Sequence, residues 1–174
     1  ISVTMPSRFN SPETIADAVR IPSLPFTDTG ATCDNADDYD EVCPYNNSTA
    51  PDVVYSYAAQ FTGAIRVDLC GSAYDTKVYV YDESLDVVNC NDDYYYDAEC
   101  GYYTSLISSV AVSAGRNYYI VIDGYGDDCG EYVLEVRESE PCLVVCLPGS
   151  RLEGEPALDL NYIDQYNGGC CGGY

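Results

Sequence analysis

NYYIVIDGYGDDCGEYVLEVRE, residues 117–138, carries two apolar runs of strand composition, Tyr118–Ile122 and Tyr132–Val136, around a segment dense in Gly and Asp. In the second run Tyr132, Leu134 and Val136 point one way, while Glu131, Val133, Glu135 and Arg137 point the other. That period-two alternation predicts a strand with one face on a core and one in water. The first run is more uniformly apolar and β-branched, as a central strand would be. The connector GYGDDCG exceeds a tight turn, so an antiparallel pair joined by a wide acidic loop is expected. Cys129 within it points to a staple reaching a distant part of the chain.

Working outward, further strands are expected at Val53–Ala58, Ala64–Leu69, Lys77–Asp82 and Thr104–Val112. Ile65, Val67 and Leu69 alternate with Arg66 and Asp68. Val78 and Val80 alternate with Lys77, Tyr79 and Tyr81, which assigns Lys77 to an exposed strand face. Residues 14–20 read as a strand running into Ile21, and the RIPSLP that follows as extended. Residues 28–52 read as a polar loop containing Cys33 and Cys43, and NCNDDYYYDAECGYY, residues 89–103, as a second one containing Cys90 and Cys100. Short strands at roughly 10–20-residue spacing with Gly/Asp-rich loops predict an all-β fold, an antiparallel, jelly-roll-like β-sandwich. Three segments result: an extended arm over residues 1–12, the sandwich over 13–138, and a disulfide-pinned tail over 139–174.

Composition narrows the setting. Seven Lys plus Arg against 29 Asp plus Glu give a formal charge of −22, and there is no histidine. Such a surface repels nucleic acid and anionic lipid, so neither is an expected partner. No run reaches the length of a membrane span, so no membrane insertion is expected. With 47% apolar residues and 19 tyrosines, the chain is not of disordered composition. Ten cysteines without histidine, and without paired C-x₂-C motifs, predict disulfides rather than zinc, and with them an oxidising, extracellular setting. A first residue of Ile rather than Met fits a processed, secreted chain. The expected bridges are Cys33–Cys43 and Cys90–Cys100, each closing a polar loop, and Cys70–Cys129. Cys142, Cys146, Cys170 and Cys171 are then left to pair within the tail, which gives a disulfide-stapled protein throughout.

Several pieces, in order, carry a family resemblance: IADAVRIPSLPFTDTG, DDYDEVCPY, PDVVYSY, VDLCGSAYDTKVYVYD, NCNDD and NYYIVIDGYGDDCGEYVLEV. Over roughly residues 13–137 the chain resembles secreted bacterial pre-peptidase C-terminal (PPC-like) domains. The tail segment PGSRLEGEPALDLNYIDQYNGGC resembles a short Cys-containing segment that follows such domains in some secreted proteins. The resemblance implies a calcium-compatible β-sandwich that rides on extracellular proteins and is not itself catalytic.

Hard Ca²⁺ takes six to eight oxygen ligands, so short acidic and amide side chains on tight loops suit it. One set is Asn89, Asn91, Asp93 and Asp97, with Asp92 beside them. Its spacing is calcium-loop-like, but Tyr94 and Cys100 stand where an EF-hand needs Gly and Glu. A second set is Asp34, Asp37, Asp38 and Asp40, and a third is Asp123, Asp127 and Asp128. For catalysis, the lack of histidine removes Ser-His and Cys-His dyads, and no enzyme activity is expected. Tyr94, Tyr95, Tyr96, Tyr102 and Tyr103 line a loop and suit a partner surface, since Tyr joins a rigid apolar face to a polar tip. Asn46 and Asn47 begin two overlapping glycosylation sequons.

Two functions follow, neither catalytic. One is a structural subunit of an extracellular filament or sheath, a homopolymer in which the alternating ISVTM strand (Ile1, Val3, Met5) is donated to the next copy. The other is a binding module that holds an extracellular protein or polysaccharide through the Tyr-rich loops.

Overall fold

The computed structural model of the chain describes residues 14–43 and 45–139. The arm residues Ile1, Val3 and Met5 and the tail cysteines Cys142, Cys146, Cys170 and Cys171 lie outside the described residues.

Eleven strands are formed by the described residues: β1 (Val19–Ile21), β2 (Phe26–Ala31), β3 (Val53–Ala58), β4 (Gly63–Asp68), β5 (Thr76–Tyr81), β6 (Val87–Asn91), β7 (Tyr95–Asp97), β8 (Gly101–Thr104), β9 (Leu106–Val112), β10 (Asn117–Gly124) and β11 (Glu131–Glu138). They build a sandwich of a five-stranded sheet, β1-β3-β10-β5-β6, and a four-stranded sheet, β2-β11-β4-β9; β7 and β8 form a separate two-stranded ribbon. All pairings are antiparallel except β1 with β3. The fold is the all-β, disulfide-stapled sandwich that the alternation predicts. No helix among the described residues is long and apolar enough to cross a membrane.

The two opening runs are not a hairpin. β10 is central in the five-stranded sheet, between β3 and β5, whereas β11 lies between β2 and β4 in the opposite sheet. The connector therefore crosses from one layer to the other. It packs so tightly at the end of β10 that a Cβ at Gly124 would collide with the Asp128 carbonyl oxygen. The different patterns of the two runs reflect this: β11 buries Tyr132, Leu134 and Val136 and exposes Glu131 and Val133, while β10 is covered on both faces. Ile120, Ile122, Val78, Val80, Tyr55 and Leu134 meet between the layers.

A second, smaller core lies on the outer face of the five-stranded sheet. There Val54, Tyr79, Tyr81 and Val121 are covered by Ile15, Ala18 and Tyr39. The segment over residues 32–52 supplies much of that cover, and it makes Lys77 fully buried rather than exposed on its strand. β2 and β6 run into the stretches over 28–52 and 89–103 that read as loops, and β7 and most of β8 lie inside the second, because these half-exposed strands carry Thr, Asp, Asn and Gly.

Among the described residues the disulfides replace all three expected pairs, Cys33–Cys43, Cys90–Cys100 and Cys70–Cys129. They join Cys33 to Cys129, Cys43 to Cys90 and Cys70 to Cys100, with Cα separations of 5.0, 5.9 and 4.2 Å. The 32–52 segment does not close on itself; it runs across the sheet and is tied down at separate points. Cys90 pairs with Tyr79 in the β5–β6 register and so shares the outer face over which that segment passes. Cys100 instead sits beside the end of β4, where the Gly71 amide donates to its carbonyl at 2.7 Å.

Asp52 is the hinge pin of this cover. Its Oδ2 accepts the backbone amides of Asp38 and Tyr39 at 2.9 and 2.8 Å, while Oδ1 is buried with no hydrogen-bond partner among the described residues. Burial outweighs the two amide donors and pushes the carboxyl up to about 7. A carboxyl raised above its unfolded value makes a contribution that is complete below the unfolded pKa and is lost as pH rises through the folded one. Asp52→Asn keeps an acceptor for both amides and removes the charge. Its melting temperature should therefore fall less between about pH 5 and about pH 8 than that of the wild type. Equal slopes in melts across that range would contradict the assignment.

Candidate metal and partner-binding site

β5 and β6 are antiparallel, with Val78 opposite Asn91, so the residues entering β5 lie beside those leaving β6. That register brings Asp75 to Asp92 and Asp93. One carboxylate oxygen from each lies within 4.8 Å of the others. Asp92 is only 8% exposed. Its Oδ1 and that of Asp75 are buried without a hydrogen-bond partner among the described residues. The backbone around them is pinned: Ser105 Oγ donates to the Asp92 carbonyl, and the Ser105 amide donates to Thr76 Oγ1 at 2.8 Å. Asp92 and Asp93, with Asn91, Cys43 and Cys90, line a cavity of about 280 Å³.

Among the described residues no cation forms an ion pair with the cluster, and the nearest positive influence on it, from Lys77, is weaker than burial and the neighbouring carboxylates. Burial, then the neighbouring Asp93, Asp92 and Asp128 charges, push Asp75 up to about 7. Burial and Asp93 push Asp92 up to about 6, against a smaller pull downward from Lys77. Hard oxygen donors, two of them buried and unpaired, fit a hard divalent cation whose remaining sites are filled by water.

Asp75 was not among the sequence candidates; only the β5–β6 register reveals it. The other candidates are engaged elsewhere. Asn89 Nδ2 donates to the Ser109 carbonyl at 2.8 Å, and Asn91 Oδ1 accepts the Leu106 amide at 2.9 Å. Asp97 Oδ1 accepts the Glu99 and Cys100 amides at 2.9 and 2.8 Å. Asp34, Asp37, Asp38 and Asp127 are exposed on loops outside the cluster. Asp128 Oδ2 accepts the Asp75 amide at 3.3 Å. Asp40 and Asp123 instead meet at Lys77, 3.2 and 3.6 Å from its Nζ. Asn46 and Asn47 are exposed, but the hydroxyl of Ser48 in their sequon is buried against the Gly124 carbonyl at 2.8 Å.

The β7–β8 ribbon stands next to the carboxylates. Tyr94, Tyr96, Tyr102 and Tyr103 are 45%, 57%, 61% and 45% exposed. Tyr96 and Tyr103 meet edge to face at 4.9 Å between ring centroids, and the Tyr96 hydroxyl donates to Asp93 Oδ2 at 3.0 Å. Tyr95 points inward: its hydroxyl donates to Asp68 at 3.2 Å and accepts from Arg66 at 3.0 Å, so it anchors the ribbon rather than facing a partner. The Cys70–Cys100 bridge holds the ribbon's base to the sandwich.

No family model and no curated protein matches the chain. Among solved structures it is similar to the pre-peptidase C-terminal domain of a collagenase from Bacillus anthracis, at 18% identity and a TM-score of 0.49, over 74% of this chain and 100% of that one. That is the family which the order of the sequence motifs resembles. The chain is also similar to a carbohydrate-binding module, CBM36, solved in complex with calcium and xylotriose, at 19% identity and a TM-score of 0.32, over 63% of this chain and 98% of that one. At these identities neither likeness bears on function.

Proposed function

We propose that the protein is a non-catalytic extracellular binding module that holds a neutral polysaccharide on its tyrosine ribbon, with calcium in the Asp75–Asp92–Asp93 cluster. The observation that carries this reading is the display of four exposed tyrosines, three on one disulfide-anchored ribbon and Tyr94 at its start. A flat aromatic ring covers the C–H face of a sugar while its hydroxyl meets the sugar's own, and Tyr loses little conformational entropy when it does so. A charge of −22 repels anionic polymers, which favours a neutral chain. Calcium would draw Asp93 into a fixed position, and Asp93 already receives the Tyr96 hydroxyl.

The test is co-sedimentation of the full chain with insoluble neutral polysaccharides, with and without calcium. A central aromatic anchor contributes about 2 kcal/mol or more, so Tyr96→Ala alone should bind at least ~30-fold more weakly and the Tyr96→Ala/Tyr103→Ala double variant more weakly still, each with its fold unchanged. Binding indifferent to both changes, or to every polysaccharide tried, would remove the reading.

A second reading, the self-assembling filament subunit, is supported by the sheet edges. Among the described residues β1, β6, β2 and β9 each pair on one side only, and β6 leaves Val87 39% and Val88 43% exposed. Ile1, Val3 and Met5 of another copy would add a strand there. Removal of residues 1–10 should then abolish filaments in electron micrographs while the melt is kept. Filaments from the truncated chain would exclude strand donation.

A further inference from the structure

The buried group around Lys77 has the parts of an amide-forming centre, and it is independent of the polysaccharide reading. Lys77 on β5 and Asp123 on β10 are directly opposite in the strand register. Both side chains are 0% exposed, and Nζ stands 3.6 Å from Asp123 Oδ2. That Oδ2 has no hydrogen bond among the described residues. Its sister Oδ1 accepts the Gly124 amide at 2.7 Å, and the Ser48 hydroxyl, whose nearer acceptor is the Gly124 carbonyl at 2.8 Å, stands 3.3 Å from it. The amine itself donates to Asp40 Oδ1 at 3.2 Å and to the Tyr45 carbonyl at 3.3 Å, between the rings of Tyr45 and Tyr79.

We propose that Lys77 and Asp123 join in an intramolecular isopeptide bond, with Asp40 as the proton shuttle. Each part has a chemical role. Nζ is the nucleophile and Asp123 Cγ the electrophile. Oδ1, held by the Gly124 amide and within reach of the Ser48 hydroxyl once that turns from the Gly124 carbonyl, takes the charge of the tetrahedral intermediate as an oxyanion does. Oδ2, bound to nothing else, is the oxygen that leaves. Asp40 accepts the protons that Nζ sheds and delivers them to Oδ2; its side chain is 30% exposed and so in touch with solvent. The balance closes without a co-reactant. One N–C bond forms and one C–O bond breaks, an ammonium and a carboxylate become an amide and one water, and no electrons are transferred. Two charges held apart from water at 3.6 Å are an expensive arrangement, and a neutral amide removes both. Holding the two groups on adjacent strands removes the encounter cost that keeps amines and carboxylates apart in solution.

The experiment is intact mass and peptide mapping of the full chain after complete reduction, in denaturant. The expected mass is that of the sequence less one water. Lys77 is the one lysine in the chain, and it should resist an amine-acylating reagent. A protease digest should yield a branched peptide joining the Lys77 and Asp123 segments. Asp40→Asn, shown to be folded by its melt, and Lys77→Arg should both return the full sequence mass. The full mass with a reactive Lys77 in the wild type would overturn the bond. So would a water loss that persists in Lys77→Arg, or one that maps to a linear peptide as a succinimide at Asp123–Gly124. Undiminished cross-linking in Asp40→Asn would overturn the shuttle.

Discussion

Replacing Cys33 and Cys129 together by serine should destabilise the protein by about 4–5 kcal/mol, the largest loss among the three bridges of the described residues. Cross-linking restricts the unfolded chain more as the enclosed loop lengthens, and this bridge spans 96 residues against 47 for Cys43–Cys90 and 30 for Cys70–Cys100. On the chain-entropy relation the other two contribute about 4 and about 3.6 kcal/mol. The order is sharpened by what each bridge holds. Cys33–Cys129 and Cys43–Cys90 both fasten the 32–52 segment over Val54, Tyr79, Tyr81 and Val121. Loss of either loosens a core face, whereas loss of Cys70–Cys100 loosens the ribbon. At about 2–4 °C per kcal/mol for a chain of this size, the Cys33/Cys129 pair should lower the melting temperature by roughly 10–20 °C. Denaturant titration of the three double-serine variants checks the order. A Cys70/Cys100 variant less stable than the Cys33/Cys129 one would contradict it.

Why these pairings were not legible in the sequence is instructive. Cys33 and Cys43 look like the two ends of one loop, and spacing alone favours a local staple. The segment between them crosses a sheet, so its cysteines find partners wherever the sheet places them. The same long-range geometry defeated two other readings. Tyr118–Ile122 and Tyr132–Val136 were both legible as strands, with the right central and half-buried character, yet sheet membership depends on partners far away in the chain. Lys77 follows alternation onto the outer face as expected, but that face is covered by residues 32–52, a fact its own strand does not encode. Local patterns were more reliable where the determinant is local. Asp92 and Asp93 were visible as acidic loop residues and the tyrosines at 94, 96, 102 and 103 as surface. Asp75 was invisible because only cross-strand register joins it to them.

Calcium should raise the melting temperature of the metal-free protein, by about 5–10 °C at a concentration near one hundred times its dissociation constant, where binding contributes about 2.7 kcal/mol. The metal-free cluster supplies the reason. Asp75 is raised to about 7 and Asp92 to about 6, chiefly by burial and then by neighbouring carboxylates. By the sign of that shift, their contribution is complete below the unfolded aspartate range and is lost as pH rises through about 6 to 7. Near neutral pH the metal-free fold therefore holds like charges close together, and a divalent cation offsets them. Asp92→Asn separates a ligand from a merely structural residue, because it removes one of the repelling charges while keeping the shape. Without calcium its melt at about pH 8 should equal or exceed that of the wild type, and its response to calcium should be lost. Asp97→Asn is the contrast, since Asp97 caps the Glu99 and Cys100 amides away from the cluster and its variant should keep the full calcium shift. Melts of the three proteins, stripped with a chelator and titrated with calcium, decide the matter. An undiminished calcium shift in Asp92→Asn would place the ion elsewhere.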